Sequence, residues 1–307
     1  MIFEVSHKTV YRYTARVAQS HHLLHLAPRP HPRQRVIRHD LLIAPNPVLR
    51  TDFTDYFGNP ASAIAIENSH SELRIQSRGL IEVSAPAPAD LSASPPWERV
   101  ARCVSPSHGP YDLEVVQYLS PSHHTTTSRD LLAYVQPSFP PSRPVLDCAM
   151  DLTTRIYREF TYDSEATNVA TTIAEILKIR RGVCQDFAHL LIAGMRVMGL
   201  PARYVSGYLL TRPPPGKEKL VGADASHAWV SVWAPDAGWV DFDPTNDLIP
   251  RDEHITIAYG RDFQDVSPVT GVLLGGGSHK IDVAVDVTPA LMPGPPGHGA
   301  EWSKAAR

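Results

Sequence analysis

Three side chains in this sequence could do chemistry together: Cys184, His227 and Asp243. Cys184 is one of three cysteines in 307 residues. It stands in RRGVCQDFAHLLIAGMRVMG, where a loop gives way to an apolar repeat of helical period. A thiol at a helix start meets the positive end of the macrodipole and unpaired backbone N–H groups, which favour thiolate over thiol. Those N–H groups can also receive an oxyanion forming beside the sulfur. A histidine can take the thiol proton, and a carboxylate can fix the histidine's tautomer and stabilise its cation. Such a trio suits acyl transfer, in which a thiolate attacks an amide or ester carbonyl. The resulting thioester is resolved by water or an amine.

Three elements must position the trio. Phe187, Leu190, Leu191, Gly194, Met195 and Met198 follow helical spacing, and Gly199 with Pro201 stops the helix. Extending this stripe backward reaches Cys184, so the thiol is expected on the buried face. Asp186, in the first turn, is expected to cap the helix. Gly182 is expected to end the preceding helix, TIAEILKIRRG, and to let the loop fold tightly. His227 and Asp243 fall in SHAWVSVWA and GWVDFDPT, two strand-like runs. A turn over 234–238 sets Trp233 opposite Trp239 and makes Asp243 the same-face diagonal neighbour of His227. Asp241 shares that face one step further away. A slip of one residue would destroy the arrangement.

The other candidate groups read as structural. Cys148 falls within a helix over VLDCAMDLTTRIYREF and is expected to pack, as is Cys103. His189 lies on a different helix face from Cys184. His21, His22, His25, His123 and His124 resemble metal ligands by clustering, but no paired acidic or cysteine pattern supports them. Solvated or packing roles are expected for all five, and no metal or cofactor is expected.

Composition bounds the rest. Hydrophobic residues make up 43% and charged residues 20%, with a formal net charge of -3. The chain can bury a core, and no basic stripe points to nucleic acid. Three cysteines without CxxC spacing argue against a disulfide scaffold or structural zinc. No run approaches the roughly 18–20 apolar residues that span a bilayer, so no membrane partner is expected. A cytoplasmic location is the default expectation. Strand-like segments with turn signals fill the first part of the chain, and APAPADLSASPP reads as a linker. The organisation expected is an N-terminal antiparallel β-sandwich over 1–90, an α+β core over 91–290 and a tail over 291–307. The loop from Thr211 to Ser226 leads into His227 and is expected to face substrate.

At these residues the chain resembles the transglutaminase-like superfamily of papain-type cysteine enzymes, in its bacterial branch. RRGVCQDFAHLLIAGMRVMGLPARYVSGYL resembles the family's cysteine segment, and SHAWVSVWAPDAGWVDFDPTND its histidine and aspartate segments. SHKTVYRYTARVAQSHHLLHLAPRP and DYFGNPASAIAIENSHSELRIQS resemble the branch's N-terminal β domain. HITIAYGRDFQDVSPVTGVLLGGGSHKIDVAVDV resembles its C-terminal segment. The resemblance implies a cysteine-bearing helix packed on an antiparallel sheet carrying His227 and Asp243, with no cofactor. In some relatives an upstream aromatic residue supplies an oxyanion donor, and Tyr162 is the candidate by position. Gln185 is a candidate for substrate contact.

These readings converge on a cysteine-dependent acyl-transfer enzyme acting on peptide or isopeptide amides, leaning to hydrolysis, with a peptide or protein as substrate. Amine transfer, which cross-links proteins, is the first alternative. A non-catalytic peptide-binding scaffold is the second.

Overall fold

The computed structural model describes residues 1–87, 89–105, 112–211 and 226–290. Most of the loop expected to face substrate (212–225) and the expected tail (291–307) lie outside the described residues.

Five strands come first: β1 (Ile2–Leu24), β2 (Gln34–Ala44), β3 (Leu49–Thr54), β4 (Pro60–Ile66) and β5 (His70–Val83). They pair antiparallel in the order β2-β5-β1-β4-β3. At 23 residues, β1 is far longer than the usual strand of about 5–6. Its register shifts between Arg12 and Val17, where it passes from β5 toward β4. The sheet curls there over a small core containing Tyr13, Val17, Leu24, Ile66, Leu73 and Ile75. The alternating sequence gives the expected antiparallel strands, but they belong to one curled sheet rather than to the two facing sheets of a sandwich.

Helices α1 (Trp97–Cys103), α2 (Leu113–Val116), α3 (Arg129–Val135) and α4 (Val145–Glu159) follow. Cys148 is buried in α4 as expected, whereas Cys103 is exposed at the end of α1. The chain continues through β6 (Thr161–Tyr162), α5 (Ile173–Ile179), β7 (Arg181–Gly182) and α6 (Cys184–Val197). Helix α5 ends before Gly182. Arg180 takes the left-handed conformation at its C-cap (φ 55°), its guanidinium lying 4.8 and 4.7 Å from the ring centres of Tyr134 and Phe160. That cation–π packing supplies a stop that the glycine was expected to provide.

Strands β8 (Ala202–Leu209), β9 (Ser226–Ala234), β10 (Gly238–Phe242) and β11 (His254–Gly260) form an antiparallel sheet in the order β10-β9-β8-β11. Helix α6 packs on β9 and β8 and is buried on all faces from Asp186 to Arg196. A helix in that position must partner its polar groups internally. Arg196 donates to the carbonyls of Tyr118, Ala202 and Arg261 and to Thr125 Oγ1, at 2.7–2.9 Å. His189 is packed between His124 and Tyr204, and its Nε2 accepts from the Phe263 N–H.

Helix α7 (Phe263–Val266) leads into β12 (Val269–Gly275) and β13 (His279–Pro289). These two strands, expected within the 91–290 unit, instead pair with β1. One edge of β1 is taken by β5 and β4, the other by β13 and β12. Alternation in KIDVAVDV specifies a strand but not its partner, which was settled by the free edge of β1. Phe3, Val5, Ile81, Val83, Val285 and Val287 also join one continuous apolar core with α4, α6 and the second sheet. The two units therefore share a core and do not divide cleanly at residue 90. Among the described residues, no helix is long and apolar enough to cross a membrane.

Candidate active site

Cys184 is the first residue of α6, with Val183 at the N-cap. Valine offers no capping oxygen. The Asp186 carboxylate takes over, its Oδ2 accepting from the Val183 N–H at 2.8 Å and from Thr167 Oγ1 at 2.7 Å. Asp186 is buried, and burial raises its pKa against the pull of these two donors. Gly182 is required beside it, because an added Cβ would stand 2.7 Å from Asp186 Oδ2. The thiol is half-buried and packs against the main core.

The short parallel pair β6–β7 sets Tyr162 in register with Gly182, two residues before the thiol. Tyr162 remains 56% exposed. Its phenol pKa is raised by partial burial and then by the neighbouring charge of Cys184. Gln185 lines the wall of a cleft, together with Ser226, the residue before His227.

The β9–β10 hairpin has the expected register: Trp239 opposes Trp233, Asp241 opposes Ser231, and Phe242 opposes Val230. Asp243 follows immediately and makes an isolated bridge to Leu248, closed by Asp247 in the left-handed region (φ 53°). His227 Nε2 lies 2.7 Å from Asp243 Oδ2. Cys184 lies near enough for its charge to act on the His227 ring. With Nε2 committed to the carboxylate, Nδ1 is the ring nitrogen left open. Asp241 is not part of this chain of contacts; it pairs with Arg33 at 3.1 Å.

Asp243 is completely buried and accepts five hydrogen bonds. Oδ2 accepts from His227 Nε2, from Asn246 Nδ2 at 2.7 Å and from His254 Nε2 at 3.1 Å. Oδ1 accepts from the backbone of Thr245 and Asn246 at 2.9 and 3.2 Å. Burial works to raise its pKa, but the hydrogen bonds from His227 and His254 outweigh it and hold the carboxyl well below its usual range. Burial works to lower the pKa of His227, but hydrogen bonds and charge from Asp243 and Cys184 push it up to about 10. Both shifts favour a charged pair, imidazolium on carboxylate.

Neither His254 nor Asn246 was anticipated. His254 opens β11, and DEHITIAYG gives only a strand signal. It reaches the site because Gly207 lets the strands close. A Cβ on Gly207 would stand 2.2 Å from the Ile255 carbonyl and 2.4 Å from the Trp229 ring. The Trp229 ring therefore lies across β8 and meets His254 edge-on, with centroids 5.1 Å apart. The ligand atoms of His227, Asp243 and His254 lie within 4.8 Å of one another, a donor set that could also hold a divalent cation.

A cysteine at a helix start, packed on an antiparallel sheet whose histidine pairs with a buried carboxylate, is the architecture of the papain-like cysteine enzymes. Within that class, the chain belongs to the transglutaminase-like superfamily. The family model described as "Transglutaminase-like superfamily" matches residues 135–244, and "Bacterial transglutaminase-like N-terminal region" matches residues 3–82. The chain is 41% identical over 295 residues to "Uncharacterized protein Rv2569c" of Mycobacterium tuberculosis, covering 94% of this chain and 92% of that one. A shorter similarity, 38% identity over 73 residues, links it to a "Protein-glutamine gamma-glutamyltransferase" of Pseudomonas aeruginosa, covering 24% of this chain and 11% of that one. Among solved structures, "a Putative Cysteine Protease from Cytophaga hutchinsonii" shares the fold with a TM-score of 0.73 at 20% identity, covering 96% of this chain and 93% of that one.

Proposed function

We propose that this chain is a cysteine-dependent acyl-transfer enzyme that opens peptide or isopeptide amide bonds through a thioester, with water as the usual acceptor. The observation that carries this reading is His227, held 2.7 Å from the buried Asp243 carboxylate and within electrostatic reach of Cys184 at the start of α6. In the forward step the Cys184 sulfur attacks the amide carbonyl carbon, and the C=O electron pair moves onto oxygen. The first-turn N–H groups of α6 lack intrahelical acceptors and face that oxyanion, with the Tyr162 hydroxyl as a second donor. His227 passes its proton to the leaving nitrogen, the C–N bond breaks, and an amine departs. His227 then takes a proton from water, whose oxygen attacks the thioester carbonyl. The C–S bond breaks, the acid is released, and the proton returns to the Cys184–His227 pair.

The lean to hydrolysis rests on a wet approach to the thiol, since Tyr162, whose pKa feels the Cys184 charge, is 56% exposed. The similarity to a glutamine transferase favours amine transfer as the second reading. Incubation with a peptide library, with and without a primary amine, distinguishes them by mass. Cleaved or deamidated peptides support hydrolysis, and amine adducts support transfer. Product masses identical to those from Cys184→Ala protein in both arms would overturn the enzyme reading.

A further inference from the structure

A cleft of ≈ 750 Å³ is lined by Gln185 and Ser226, the chain neighbours of Cys184 and His227, and by residues of the N-terminal sheet. The sheet's share comes from β1 and β13, whose register sets His7 against Val285, Thr9 against Val283 and Tyr11 against Ile281. Alternation places these cross-strand pairs on one face of the sheet. The first pair is buried: Val285 is fully covered, and His7 Nδ1 lies 2.8 Å from the Tyr208 hydroxyl on β8. The ladder then climbs out of the core, and Val283 and Ile281 are 55% and 47% exposed as they line the cleft.

The charge pattern of this lining is unusual for the chain. A fifth of all residues are charged, yet no Asp, Glu, Lys or Arg lines the cleft among the described residues. Burial lowers the pKa of His7 to about 4 and also lowers that of His124. The cleft pairs exposed aliphatic side chains with hydrogen-bonding groups such as Thr9, Gln185 and Ser226. A charged side chain entering it would lose hydration and find no Asp, Glu, Lys or Arg to pair with among the described lining residues.

We infer that the β1–β13 ladder is a substrate wall, and that the cleft takes an uncharged, extended peptide segment carrying an aliphatic or aromatic side chain against Val283 and Ile281. This assigns the N-terminal sheet a part in substrate selection. It rests on the acyl-transfer reading for the location of the reacting amide, but the binding preference can be measured without turnover.

The test uses the full chain with Cys184→Ala and fluorophore-tagged, end-blocked hexapeptides of Gly, Ala and Gln that differ at one central residue: Leu, Phe, Asp or Lys. Fluorescence anisotropy reads their affinities. The Leu and Phe peptides bind at least roughly tenfold more tightly than the Asp and Lys peptides. Val283→Lys, an exposed substitution whose folding is checked by its melting curve, lowers that ratio and favours the Asp peptide over the Lys peptide. Equal affinities, tighter binding of the charged peptides, or a preference unmoved by Val283→Lys in a folded protein would each overturn the inference. Loss of turnover in the wild-type chain with the binding preference intact would instead count against the acyl-transfer reading alone.

Discussion

His254 stands on the same oxygen that orients His227: both Nε2 atoms reach Oδ2 of Asp243, at 3.1 and 2.7 Å. The two rings lie 5.9 Å apart, and His254 is buried against Trp229. One carboxylate charge is thus divided between two imidazoles and the Asn246 amide.

Removing His254 concentrates the Asp243 charge on His227. His254→Ala is expected to raise the pKa of His227 further, read from imidazole resonances in a pH titration. The same change costs about 1–3 kcal/mol of stability, the loss of a buried hydrogen bond to a charged group, measured by urea unfolding. His254→Gln, which can keep a donor near Asp243, recovers part of both effects. An unmoved His227 titration in a folded His254→Ala protein would show that the second imidazole is only packing.

The three cysteines are expected to differ in reactivity. Cys184 is half-buried beside a cationic His227, Cys148 is fully buried with its thiol pushed up to about 12 by burial, and Cys103 is exposed with neither feature. Iodoacetamide near neutral pH, followed by peptide mass mapping, should modify Cys184 first and Cys148 last. His227→Ala should slow Cys184 and leave Cys103 unchanged. Equal rates for Cys184 and Cys103 would remove the chemical basis of the proposed activity.

Stability should fall on both sides of neutrality, for opposite reasons. Burial lowers the pKa of His7, His22 and His31 from 6.5 to about 4. The unfolded chain therefore binds more protons than the folded chain between these values, and stability declines as pH drops from 6.5 toward 4. For His227 the sign reverses. Its folded value is raised to about 10, so its contribution is fully present below 6.5 and is lost as pH rises through about 10. Asp243 contributes above its unfolded value of 3.8 and loses that contribution only in strong acid. Urea unfolding from pH 4 to 10 should trace a dome, with His227→Gln flattening only the alkaline side.

Gly207→Ala is expected to be damaging despite its small size. The added carbon meets the Ile255 carbonyl and the Trp229 ring at once, and backbone cannot yield as a flexible side chain can. A loss of about 3 kcal/mol is expected. Displacing Trp229 also shifts its neighbour His254, so the His227 titration should change with it.

The local geometry of the site was legible before the fold was known. A turn over 234–238 sets Trp233 opposite Trp239, and that register, followed by the turn from Asp243 to Leu248, brings Asp243 to His227. The helix start at Cys184 and the capping role of Asp186 were equally local. What escaped was everything set by distant chain. His254 enters from a strand whose own pattern carries no chemical signal, and Gly207 matters only once β9 and β11 lie on either side of it. The return of β12 and β13 to β1 escaped for the same reason, because hydrophobic alternation is blind to partner choice.

That return shapes how the protein must be made. A ribosome delivers β1 well over 200 residues before β12 and β13, so one flank of a 23-residue strand waits through that interval with its amides and carbonyls unclaimed. A nascent chain halted before Val269 offers that flank to any foreign strand it meets. Completion of the sheet also brings Ile281 and Val283 to the cleft, so the proposed substrate wall is finished only when β13 has docked.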